Sequence, residues 1–80
     1  MTDTVYRISI DRPPRADQIA AYREEANDRQ GTLEVTFPVG EITKRLVVSP
    51  RGTVVLLNDV SEETFNRSES PETIAAALAS

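Results

Sequence analysis

Residues Thr32 to Asp59 constrain the fold more than any other part of the chain, because three extended segments follow one another there through two tight turns. In the first, Leu33, Val35, Phe37 and Val39 alternate with Glu34, Thr36 and Pro38. A period of two is what a strand with one buried face requires, and β-branched and aromatic side chains pack well on a pleated surface. Gly40 marks the turn, since glycine tolerates positive φ. The second segment, Glu41 to Ser49, places Ile42, Leu46 and Val48 on one face together with Lys44. Lys44 is expected to run its stem along the core and carry its ammonium to water, in preference to a register-resetting bulge. Ser49-Pro50-Arg51-Gly52 is the strongest local signal: proline presets φ at the second turn position and glycine closes a short hairpin loop. Thr53-Val54-Val55-Leu56-Leu57 lacks polar alternation, the pattern of a strand covered on both sides, and Asn58-Asp59 ends it.

The flanking segments add one strand and two helices. Val5 to Ile10 alternates, with Tyr6, Ile8 and Ile10 on one face and Val5, Arg7 and Ser9 on the other. Asp11-Arg12-Pro13-Pro14 breaks it, and a helix is expected from about Pro14 to Arg29, with Pro14 in its first turn and Gly31 just past its end. Its apolar stripe, Ala16, Ile19, Ala20 and Ala26, is thin, with Tyr22 and Arg23 flanking it, so this helix must lie close to the sheet. Ser61 reads as the N-cap of a short helical turn containing Glu62, Glu63 and Phe65. Ser70-Pro71-Glu72 then starts a second helix with Ile74, Ala77 and Leu78 on one face. At about ten residues it falls below the roughly 12–15 that hold alone in water, so it must dock. Residues 1–4 and 79–80 are expected to be loose.

The resulting order is β-α-β-β-β-α. It predicts one α+β domain over residues 1–80, a two-layer sandwich with a four-stranded mixed sheet and both helices on one face. A right-handed crossover would set the first strand parallel to the second.

Composition excludes much chemistry. The 80 residues hold no Cys, His or Trp, so disulfides, thiolate metal sites and histidine-activated nucleophiles are ruled out. Glu24/Glu25 and Glu62/Glu63 are adjacent pairs whose side chains diverge, and Asp59, Glu62 and Glu63 lack the spacing of a calcium loop. Gly31, Gly40 and Gly52 are isolated, so no phosphate-cradling loop exists. We therefore expect no enzyme, no cofactor and no metal. A net charge of −4 argues against a constitutive nucleic-acid binder. No signal-peptide pattern and no apolar run long enough to span a bilayer stand in the sequence, which predicts a cytoplasmic protein without membrane contact.

In element order the chain is similar to the ribosome hibernation-promoting factors, and its helix–meander–helix part looks like the double-stranded-RNA-binding fold. The resemblance covers element order alone. It implies nucleic-acid contact, a basic cluster at the start of the last helix and a His-containing loop after that fold's first strand. Those places hold Ser61-Glu62-Glu63 and Pro38-Val39-Gly40-Glu41 here. Arg12, Arg15, Lys44, Arg45 and Arg51 are the residues that would meet phosphates.

Strand parity points to a different use. If both helices cover one face, the other carries Val47, Val55 and Leu57, rimmed by Arg7 and Arg45. Contiguous apolar surface on a small protein tends to mark an interaction site. The expectation is a non-enzymatic protein-binding or regulatory module, acting through this face or a sheet edge on a protein partner or on a second copy as a homodimer. The alternative is a small nucleic-acid-binding, ribosome-associated protein.

Overall fold

The computed structural model describes residues 4–58 and 60–78, and the expected loose ends at 1–3 and 79–80, like Asp59, lie outside them. Thr4, by contrast, is tied down: its carbonyl accepts a hydrogen bond from the Thr32 amide at 2.9 Å. The elements run β1 (Val5–Ser9), α1 (Ala16–Arg29), β2 (Thr32–Val39), β3 (Ile42–Val48), β4 (Val54–Leu57), β5 (Glu62–Phe65) and α2 (Pro71–Leu78). The class is α+β, with a mixed sheet and two helices. The strand order is β1-β2-β3-β4-β5, with β1 parallel to β2 and every other pair antiparallel. No helix among the described residues is long and apolar enough to cross a membrane.

The sheet has five strands rather than four. The segment expected to form a helical turn after Ser61 is β5, paired with β4 from Leu57↔Glu62 to Val54↔Phe65. The cause is the Asn58 side chain. Its Oδ1 accepts from the Val60 amide at 2.9 Å, the Ser61 amide at 2.8 Å and the Ser61 hydroxyl at 3.0 Å. The Asn58 amide in turn donates to the Ser61 carbonyl. That closed loop turns the chain back along β4, where unpaired ladder groups need partners more than Glu62 and Glu63 need a helix N-terminus. Phe65, the one apolar residue of β5, is buried in the core.

Both expected turns form. Gly40, at φ +62°, begins a two-residue loop between the paired Val39 and Ile42. Gly52, at φ +95°, ends the Pro50-Arg51-Gly52 loop, and its amide donates to the Ser49 carbonyl at 3.0 Å. Ser49 Oγ accepts from the Thr53 amide, which locks the base of the hairpin.

α1 starts at Ala16, two residues later than the sequence suggests. The Gln18 side chain accepts from the Arg15 amide at 2.8 Å, which is half of a capping box. The other half is not made, because a guanidinium has no acceptor and Arg15 turns to Asp17. At the far end Gln30, not Gly31, takes the left-handed conformation. Gly31 serves a different need: a Cβ there would lie 2.8 Å from the Tyr6 ring and 2.9 Å from the Thr4 carbonyl.

The core joins Leu33, Val35 and Phe37 of β2, Leu46 and Val48 of β3, Val54 and Leu56 of β4 and Phe65 to Ile19 and Ala26 of α1 and Ile74 and Leu78 of α2. The inward seam of α1 is Ile19, Arg23 and Ala26, and Ala20, expected in the stripe, is exposed. Arg23 belongs there because its guanidinium is satisfied by three backbone carbonyls. Nε donates to Gly52 at 3.0 Å, Nη1 to Glu69 at 2.7 Å and Nη2 to Asn66 at 3.2 Å. α2 starts as the sequence implies, with Ser70 Oγ accepting from the Thr73 amide. Lys44 lies on the core side, 8% exposed, with no carboxylate among the described residues paired to it. No buried side-chain nitrogen among those residues lacks a partner, so its ammonium reaches water as the snorkelling argument requires.

Candidate functional site

The second side of the sheet is built by the residues that alternate with the core positions. Ladder register arranges them in rows across the strands. One row reads Arg7, Glu34, Val47, Val55, Thr64, and the next reads Ser9, Thr36, Arg45, Leu57, Glu62. Every residue in both rows is half-buried or exposed. Val47 and Val55 are therefore directly opposed, and Leu57 is directly opposed to Arg45. The structure brings the five expected site residues into these two rows: Val47, Val55 and Leu57 in the middle, Arg45 beside them and Arg7 at the β1 edge. Val55 and Leu57 do not stand at the sheet margin, because β5 borders them with Thr64 and Glu62.

The charges on this face are uneven. Glu34 Oε1 lies 3.7 Å from Arg7 Nε and 3.6 Å from Arg45 Nε. Its side chain is only 20% exposed, while those of Arg7 and Arg45 are 79% and 54% exposed. Two cations thus share one carboxylate. Across the sheet, Glu62 has no cationic partner among the described residues. The face runs from a basic end at β1–β3, over an aliphatic centre, to an acidic margin at β5.

A shallow depression of about 400 Å³ opens at one end of this face, lined by Thr36, Thr43, Lys44, Arg45, Leu57 and Asn58. A second, of about 360 Å³, lies by the start of α1 against Ile10, Asp11, Arg12, Arg15 and Gln18. Neither gathers groups that suit nucleophilic or acid–base chemistry. No group of three acidic side chains able to hold a cation stands among the described residues. Glu62 and Glu63 are successive strand residues and so point to opposite sides of the sheet.

The five residues named for phosphate contact do not form one cluster: Arg12 and Arg15 border one depression, Lys44 and Arg45 the other, and Arg51 borders neither. Arg12 and Arg15 precede α1 and pair with Asp11 and Asp17. Lys44 has its stem in the core, Arg45 shares Glu34 with Arg7, and Arg51 is in the β3–β4 loop. Strand parity alone puts Glu34 on this face as an ordinary solvated position and does not show that it is shared by Arg7 and Arg45. The signal was present: an acid on the same strand parity as two arginines of the neighbouring strands. Reading it requires the register. No known protein family, curated protein or solved structure matches this chain.

Proposed function

We propose that this chain is a non-enzymatic protein-binding module whose helices cover one face of the sheet and whose other face is the working surface. The observation that carries the reading is the opposed pair Val47 and Val55, with Leu57 in the next row, only half-buried in the middle of a sheet face and not at its rim. Burying such a patch yields about 25 cal/mol per Å² of apolar surface removed from water. Its arginine neighbours supply the residue type that interfaces favour. The β5 edge serves it less well as a docking site. β5 presents Glu62 and Glu63, and charges on an edge strand oppose the addition of another strand.

The test is co-purification of the tagged full chain from its host, wild type beside Val55→Glu, with circular dichroism to confirm an unchanged fold. The expected result is that proteins retained by the wild type are lost by the variant. Identical retained sets from the two chains would overturn the reading.

A further inference from the structure

We infer that the occupant of the open face is a second copy of this chain, packed face to face about a two-fold axis that runs parallel to the strands between β3 and β4. The inference rests on the binding-face reading above and names the partner. A two-fold interface must be self-complementary, because each copy offers the same patch to the other. This face meets that condition in both shape of pattern and charge.

The axis between β3 and β4 lays Val47 of one copy over the partner's Val55, and Val55 over the partner's Val47. In the next row it lays Leu57 over the aliphatic stem of the partner's Arg45. The same operation carries the partner's β5 across to β2, so the partner's Glu62 comes down beside Thr36, between the strands that bear Arg7 and Arg45. Each copy alone holds two arginines on one glutamate, and an acid at the opposite margin without a cation among the described residues. Face-to-face pairing about this axis balances both ends at once: Arg7 and Arg45 with Glu34 and the partner's Glu62.

An axis centred on β3 stacks Arg45 on its own copy. About the axis between β3 and β4, β2 to β5 of the two copies overlap while β1 lies outside, a strip about 19 Å wide at about 4.8 Å per strand, and β4 and β5 are four residues long. The interface falls in the small size class of weak, reversible contacts.

Sedimentation equilibrium of the purified full chain, from micromolar to millimolar, tests the proposal. The wild type is expected to show a dimer. Val55→Glu should be monomeric with an unchanged circular dichroism spectrum. Arg45→Glu, an exposed substitution that spares the core, should weaken the dimer at least about tenfold by setting like charges against the partner's Glu62. Arg45→Glu combined with Glu62→Arg should restore it to within about threefold, since the swap rebuilds the opposite-charge contact. A monomeric wild type throughout would overturn the second copy as partner, while the binding-face reading would still stand or fall on the co-purification comparison. A dimer indifferent to Val55→Glu and Arg45→Glu would overturn this geometry and place self-association elsewhere.

Discussion

Arg23 of α1 donates from Nη1 to the backbone carbonyl of Glu69, 2.7 Å away across 46 residues of sequence. The same guanidinium reaches Gly52 in the β3–β4 loop and Asn66 after β5. One side chain therefore closes three carbonyls that have no ladder partner and fixes the approach to α2. Hydrogen bonds from a charged group contribute about 1.5–3 kcal/mol each before non-additivity. Arg23→Ala is expected to cost about 2–4 kcal/mol by urea unfolding. Arg23→Lys should recover little, because a point-like ammonium does not reproduce the planar fork. Hydrogen exchange should show α2 amides losing protection before those of β2.

Gly31 faces the Tyr6 ring, over which the Arg29 guanidinium also stacks at 4.8 Å from the centroid. Gly31→Ala forces a Cβ against that ring and against the Thr4 carbonyl that receives the Thr32 amide. The ring can swing; the carbonyl, just before β1, is held by the Thr32 amide at the start of β2. A loss of about 1–3 kcal/mol is expected from such overpacking. An unchanged thermal midpoint would show that β1 shifts freely.

Lys44 holds a charge at a core-facing position opposite Phe37. Lys44→Met keeps the length of the stem and removes the need to reach water. Stability should rise by about 1 kcal/mol, read as a higher urea midpoint at unchanged slope. A lower midpoint would overturn the view that carrying this ammonium to water costs stability.

Tyr22 has its phenol pKa raised above the usual 10.0, first by burial and second by the nearby charge of Glu25. The folded state therefore holds this proton more tightly than the unfolded chain. The contribution is fully present below the unfolded value and is lost as pH rises through the folded value. Stability should fall with pH above about 10, and Tyr22→Phe should remove that part of the slope. Phenolate absorbance of the wild type minus that of Tyr22→Phe should show a late-titrating group.

Legibility followed the range of the interactions. The meander was readable because alternation in Leu33, Val35 and Phe37, and the Pro50 to Gly52 turn, are local and agree with each other. The start of α2 was readable from Ser70 and Pro71 for the same reason. β5 was not: with Phe65 as its single apolar residue it has no period to detect, and it forms because β4 offers an unpaired edge and Asn58 turns the chain toward it. Arg23 was read as a flank of the helix stripe, since nothing near it in sequence reveals the three carbonyls that accept its protons. Of the candidate face, Arg7, Glu34, Arg45, Val47, Val55 and Leu57 all follow from parity, whereas the sharing of Glu34 between Arg7 and Arg45 needs the register of β2 against both neighbours.

By itself the sequence determined which side chains alternate and where the turns fall, because these depend on residues within a few positions of each other. Tertiary structure alone decided that an arginine stands in the helix seam, that a glycine makes room for Tyr6, and that two arginines divide one carboxylate on the open face. Those outcomes rest on partners brought together by the fold, and a hydrogen bond or an ion pair is set by distance in space, to which separation along the chain is no guide.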